Sequence, residues 1–254
     1  MMNTYPIIRR SISLTAMALL MAMLAACDEQ KTVKPTDAPD ARLEKPANED
    51  AASLADGRRL IERIAAARDG SVLRIPAGRY LTAGPIAIHR KRDLTLIFED
   101  TYIYCRDTNA NVLEISESKD IRIVGGHFRH DKSKPQYECH GSVAAVASSQ
   151  NVAIYSAELN GCGAVGLYAT GCLSLTVFNC HIHLNSFNAF YLMNCDGVKL
   201  VRNQVANNAS MMQAVNVTGL EMMDNVIYGN RGYWQTGDEL NKRYLELLNL
   251  PETR

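Results

Sequence analysis

Asn151-Val-Ala-Ile-Tyr155, Ser174-Leu-Thr-Val-Phe178 and Gly197-Val-Lys-Leu-Val201 can be laid on one another without a gap, 23 residues apart at each step. The same pattern opens at Asp120, 31 residues before the first of these, and at Gly219, 22 residues after the last. The second and fourth positions are apolar in every copy, giving the columns Ile121, Val152, Leu175, Val198, Leu220 and Ile123, Ile154, Val177, Leu200, Met222. A third column follows at Phe128, Leu159, Ile182, Val205 and Ile227. Alternation with a period of two is a strand signature. Its recurrence at a short fixed spacing means stacked coils, because one coil alone cannot bury its inner face. A further strand lies between copies, with Leu113, Ala144, Leu167, Phe190 and Met212 in one inward column and Ile115, Val146, Ala169, Leu192 and Ala214 in the next. Three short strands per coil, each parallel to its counterpart one coil away, predict a three-faced all-β solenoid.

The composition agrees with a folded domain of that kind. The chain has 254 residues, 47% hydrophobic and 7% aromatic, with 27 basic side chains against 27 acidic ones. This excludes a disordered tail and a basic domain that coats nucleic acid, so no nucleic-acid partner is expected.

The three-strand repeat resembles the right-handed parallel β-helix of the pectin-lyase-like superfamily over roughly residues 52–232, about six or seven coils. Gly70-Ser-Val-Leu-Arg-Ile-Pro-Ala-Gly-Arg-Tyr80 looks like that superfamily's opening turn and first strand. The superfamily includes lyases, hydrolases, epimerases and non-catalytic adhesins, so the resemblance implies a fold without fixing an activity. Asn185, Asn208 and Asn230 recur at one turn, where stacked side-chain amides satisfy backbone groups that a tight bend would orphan. Cys139 and Cys162 precede them in the same column if the extra residues of the longest gap lie before Cys139. A solenoid also needs capped ends. Asp56 is read as the cap of a helix bearing Leu60, Ile61 and Ile64 and stopped by Gly70. Residues 238–248 place Leu240, Tyr244, Leu247 and Leu248 at helical spacing for a second plug.

The first thirty residues carry an address. Arg9 and Arg10 precede an apolar stretch from Ile12 to Leu24, too short to span a membrane but of the length of an export signal. It ends Leu24-Ala25-Ala26-Cys27, which closely resembles the lipobox of bacterial lipoproteins; that likeness implies cleavage before Cys27, lipidation of its thiol and a membrane-held mature protein. One acyl chain anchors marginally and two or more anchor stably. By the same resemblance, Asp28 favours retention at the periplasmic face of the inner membrane, with the outer membrane as the alternative. Residues 1–26 are thus a signal peptide, and their loss leaves 25 basic residues against 27 acidic ones, a formal charge of −2 with little power to steer a charged partner. Residues 27–50 follow as a lipid-anchored tether. Its stretch from Asp28 holds seven acids, four bases, three prolines and no aromatic, a composition that cannot bury enough surface to order itself. Residues 51–254 form the β-helix domain.

Six cysteines remain after Cys27, in an oxidising compartment. Cys172 and Cys195 share a coil position but would stand near the strand spacing of about 4.8 Å, beyond the usual disulfide range, and read as a stacked thiol pair. Cys139 and Cys162, in a less constrained turn, are the disulfide candidate. No CxxC spacing occurs, and no cofactor is expected.

Chemistry is sought at the outward positions. On the strand after the turn these are His127, Glu158, His181 and Gln204, and two residues on Arg129, Asn160, His183 and Ala206. His127, Glu158, His181 and His183 are the candidate acid/base residues, close enough across coils to exchange protons; the same rows also read as a solvated polar ladder. His181-x-His183 with Glu158 has the pattern of a transition-metal site, but Arg129 beside it weighs against a dication, and no metal is expected. The other outward row is Glu114, Ala145, Tyr168, Tyr191 and Gln213, on the strand that lines the substrate groove in pectin-lyase-like enzymes. Tyr168 and Tyr191 would form an aromatic shelf for sugar rings, with Glu114, Asn188 and Asn194 supplying polar contacts, or else simply stabilise the sheet. The charged loop of residues 130–140 is placed to overhang this groove. Only Glu114 supplies a carboxylate there, which disfavours polygalacturonase-like hydrolysis and calcium-dependent elimination. The expected function is a membrane-anchored polysaccharide binder with lyase or epimerase activity as an extension; the alternative is a non-catalytic scaffold or adhesin that binds a protein.

Overall fold

The inward columns of the sequence become the walls of a bore. The computed structural model describes residues 51–131, 140–161 and 164–234, with side chains described from residue 54 to residue 231. The export signal, Cys27, the tether, Cys139, Cys162, residues 132–139 and the C-terminal plug lie outside the described residues.

One helix, α1 (Ala51–Ala65), leads into nineteen strands: β1 (Val72–Ile75), β2 (Gly78–Thr82), β3 (Ile86–His89), β4 (Arg92–Cys105), β5 (Leu113–Ser116), β6 (Lys119–His130), β7 (Ala144–Ala147), β8 (Gln150–Tyr155), β9 (Glu158–Asn160), β10 (Val165–Thr170), β11 (Leu173–Phe178), β12 (His181–His183), β13 (Asn188–Met193), β14 (Asp196–Val201), β15 (Gln204–Ala206), β16 (Ser210–Val215), β17 (Glu221–Met223), β18 (Val226–Tyr228) and β19 (Gly232–Trp234). Every pairing among them is parallel and joins strands one coil apart. Face one is the sheet β19-β16-β13-β10-β7-β5-β3. Face two runs β17-β14-β11-β8 into the first half of β6, and face three runs from the second half of β6 through β9-β12-β15-β18. The long strands β4 and β6 bend from face two into face three and join the two into one sheet. The result is a three-faced parallel β-helix of about six turns.

The register is the one the sequence implies. Ile121, Val152, Leu175 and Val198 are successive Cα partners, as are Phe128, Leu159, Ile182, Val205 and Ile227. Almost all of these columns are fully buried. At about 25 cal/mol per Å² of apolar area, a coil added to the stack gains stability only through its neighbours, which is why the fold is a continuous bore.

Corners recur in columns of left-handed backbone. Arg90, Glu117, Ser148, Gly171, Asn194 and Asn216 turn face one into face two, and Ser156, Asn179, Arg202 and Asp224 turn face two into face three. Most are Asn, Asp, Ser or Gly, which tolerate positive φ. In β6 the corresponding corner is Gly125-Gly126, where a Cβ on Gly125 would stand 2.5 Å from the Phe98 carbonyl oxygen, so only glycine allows β4 and β6 to approach there. The face-three corner carries the expected asparagine stack: Asn208 Oδ1 accepts from Asn185 Nδ2 at 2.8 Å, and Asn230 Oδ1 accepts from Asn208 Nδ2 at 2.9 Å. A second ladder, Asn203 Nδ2 to Asn225 Oδ1 at 3.0 Å, stands at the preceding corner.

Helix α1 departs from expectation at its start. It begins at Ala51, and Asp56 lies inside it, paired with Arg59 on its exposed side. The alanines upstream carry the helix back past the proposed cap, since alanine has the highest helix propensity. Leu60 and Ile64 are buried in the core cluster, with Ile61 packed against it, and Gly70 occupies the turn that follows. Cys105, Cys172, Cys180 and Cys195 are free and buried. Among the described residues no helix is long and apolar enough to cross a membrane.

Candidate functional site

Face three presents one uninterrupted outward row, Arg79, Tyr102, His127, Glu158, His181 and Gln204, each the Cα partner of the next. Asn160, His183 and Ala206 form the row beside it. The alternation that buries Leu159 and Ile182 holds these polar side chains outward from a rigid floor. Sequence reasoning found the row from His127 onward and missed Arg79 and Tyr102. The register shifts between Phe98 and Tyr102, and the step from Tyr102 to His127 is 25 residues, so the repeat cannot be extended back at constant spacing. Tyr80 and Ile103, which continue the third inner column, are the signal that could have found them.

The side chains touch in sequence along the row. The Arg79 guanidinium lies 5.6 Å from the centre of the Tyr102 ring, and Tyr102 stacks on His127 at 4.2 Å and 5°. His127 Nδ1 hydrogen-bonds Glu158 Oε2; His183 Nε2 lies 2.7 Å from Glu158 Oε1, and Asn160 Nδ2 donates to the same oxygen at 2.9 Å. His181 stacks on His183 at 3.8 Å and 11°. Further along, Gln204 Nε2 donates to the Tyr228 hydroxyl at 2.6 Å. Burial alone would raise the Glu158 carboxyl, but hydrogen bonds from His127, His183 and Asn160 outweigh it and hold it well below the usual carboxylate range. The Glu158 hydrogen bond raises His127 against the opposing effect of burial. His181 is pushed down to about 4 by burial and by the neighbouring His183. Glu158 is therefore an anion at neutral pH and His181 a neutral imidazole, two different protonation states within one patch. All four candidate acid/base residues are brought together.

The aromatic shelf also forms. Tyr168 and Tyr191 are Cα partners on β10 and β13, with ring centres 5.5 Å apart and planes inclined by 27°. Glu114 stands in the same row beyond Ala145, half-buried, its carboxylate accepting from Asn111 Nδ2 at 3.3 Å. Asn188 does not serve the shelf. It is fully buried at the corner that opens β13, in register with Val165 and Ser210, so its amide is not presented to a ligand. Its Nδ2 donates to Oε1 of Gln213, the residue next to Tyr191 in the row, at 3.5 Å. Asn194 lies at the next corner, where its Oδ1 accepts from Asn216 Nδ2 at 3.1 Å.

The cluster and the shelf occupy adjacent faces, with the corner after His183 between them. There Leu184, Asn185, Ser186, Asn207, Ala209 and Arg231 line a shallow depression. Of the expected overhanging loop, the described stem residues His130 and Asp131 are buried, and His130 Nε2 lies 2.9 Å from the Ala110 carbonyl oxygen.

Comparison with known proteins agrees with this architecture. The family described as "Right handed beta helix region" matches residues 134–241. No curated protein sequence matches the chain. A solved structure described as a "putative glycosyl hydrolase" from Parabacteroides merdae is similar with a TM-score of 0.51 at 14% identity, covering 69% of this chain and 88% of that one. At that identity the likeness bears on fold, and with the parallel register it makes the domain a right-handed parallel β-helix.

Proposed function

We propose that the protein is a cell-envelope lipoprotein whose β-helix binds polysaccharide on face one. The observation that carries this reading is the Tyr168–Tyr191 pair, two stacked rings presented outward on strands locked in register. Sugar rings offer apolar C–H faces to such a surface while their hydroxyls hydrogen-bond to its polar margin. The similar β-helix described as a "putative glycosyl hydrolase" is consistent with a carbohydrate ligand. Cys27 is read as the lipid anchor and residues 28–50 as the spacer that holds the domain clear of the headgroups, at the periplasmic face of the inner membrane in the favoured placement. A glycan array probed with wild type and Tyr168→Ala tests the central part. Wild type should bind an acidic or neutral glycan and the variant should lose about tenfold in affinity, about 1.4 kcal/mol. No glycan binding, with a protein recovered by crosslinking, would instead identify a scaffold or adhesin.

The Glu158 cluster supports a second reading, elimination or epimerisation of a uronate-containing glycan. Both reactions begin with removal of a proton from carbon next to a carboxyl group, and an imidazole neutral at physiological pH has a lone pair free to accept it, although one held near 4 is a weaker base than an unperturbed one. His181 is such an imidazole. If it is the base, His181→Ala abolishes the ultraviolet absorbance of unsaturated products and leaves glycan affinity intact. Absence of such product from wild type on every glycan that it binds would restrict the protein to binding.

A further inference from the structure

We propose that Glu158, His181 and His183 form a binding site for a transition dication of the zinc class. One ligand atom from each of the three lies within 4.8 Å of the other two. Bonds of about 2.0–2.2 Å to a shared ion require only a modest adjustment of that triangle, within reach of side-chain rotation. The backbone favours the arrangement. His181 and His183 are i and i+2 on β12, separated by the buried Ile182, and their parallel rings at 3.8 Å show both imidazoles projecting in one direction. Glu158 is the in-register partner of His181 on the adjacent strand, so two strands of one rigid sheet supply all three ligands.

The carboxylate is held in place from behind. His127 bonds Glu158 Oε2, and Asn160 donates to Oε1, the kind of support that orients a ligating carboxylate. His183 Nε2 and Glu158 Oε1, now 2.7 Å apart, would both turn to the ion and exchange their shared hydrogen bond for two coordinate bonds. Two imidazoles with one carboxylate suit zinc, copper or nickel better than calcium or magnesium, which prefer oxygen donors throughout. Arg129, whose place in the neighbouring outward row weighs against a cation, directs its Nε to the His130 carbonyl at 3.4 Å, while among the described residues the hydrogen-bond donors to Glu158 are His127, His183 and Asn160. Three protein ligands leave a further coordination position open to water or to an anionic group.

The proposal does not rest on the polysaccharide reading, and its test needs no glycan. Zinc titrated into the tag-free full chain, against a competing chelator, should fill one site that is lost in the His181→Ala/His183→Ala double variant. Glu158→Gln should weaken that site by about tenfold or more. Thermal melts of the metal-free variants that match wild type would exclude unfolding as the cause. Cobalt loaded in place of zinc should give visible bands without a sulfur charge-transfer band. Equal zinc affinity in wild type and the double variant would place the metal elsewhere, a sulfur-to-cobalt band would place it on cysteines, and either result would overturn the proposal, as would failure of wild type to bind zinc at all.

Discussion

Faces one and three are built from the same repeat over the same bore, yet their outer surfaces are organised in opposite ways. On face three the outward side chains hold one another: Tyr102 stacks on His127, His127 and His183 bond Glu158, and His181 stacks on His183. On face one the shelf is two tyrosines that contact each other, with the carboxylate of their row, Glu114, two coils from Tyr168. A network of charged and neutral proton carriers is suited to chemistry or to a metal, and an isolated aromatic surface to a ligand's apolar face. The inward columns cannot encode that difference because packing restricts them to apolar residues of similar size.

The largest expected effects are therefore equal on the two faces. Phe190, beneath the shelf, and Ile182, beneath the cluster, are both buried. Phe190→Ala should cost about 3–5 kcal/mol and Ile182→Ala about 2–5 kcal/mol, read by urea denaturation. A loss below about 1 kcal/mol at either site would mean that the bore beneath that face is not close-packed.

Smaller effects should separate the faces. His181 titrates at about 4 in the fold against 6.5 when unperturbed, so the unfolded chain takes up its proton first as the pH falls. Native stability should decline between about 6.5 and 4, and His181→Gln should make that decline shallower. His127 has the opposite sign. Its value is raised, so its contribution is present below about 6.5 and fades as the pH rises through the higher folded value. His127→Gln should therefore destabilise most on the acid side, while Tyr168→Ala should leave the shape of the pH profile unchanged. Parallel profiles for wild type, His181→Gln and His127→Gln would show that the cluster is not coupled as described.

The smallest effect belongs to the corner between the faces. Leu184 has φ 56°, a left-handed conformation that its neighbours in the turn column, Gly161, Asn207 and Gly229, adopt with less strain. Leu184→Asn should stabilise the protein by about 0.5–1 kcal/mol, seen as a small rise in Tm. A destabilisation would mean that the leucine side chain contributes more by packing at this corner than it costs in backbone strain.

Most of the architecture is legible in the sequence because a period of two within a period of 23 leaves few registers open. The inner columns from Ile121 onward are recovered in the paired strands, except that Leu220, though buried, lies just before β17 and outside the pairing. Asn188 is less legible: its polarity suggests a surface amide, yet it is fully buried at the corner two residues before Phe190. Buried asparagine is ordinary at a solenoid corner, where its amide can reach the next coil. The helix start was less legible, since a capping aspartate and an alanine run make competing local signals and the alanines prevailed. The cluster's membership could be read from spacing, but the division of protonation states within it depends on burial and contact, which spacing does not carry.

Hydroxyl-radical footprinting with and without a bound glycan tests the central claim most directly, because it reads tyrosines and histidines in one experiment. The expected result is protection of Tyr168 and Tyr191 on β10 and β13, with Tyr102 on face three labelled as in the free protein. Full labelling of the tyrosine shelf, with protection confined to Tyr102, His127, His181 and His183, would contradict the account and move the binding surface to face three.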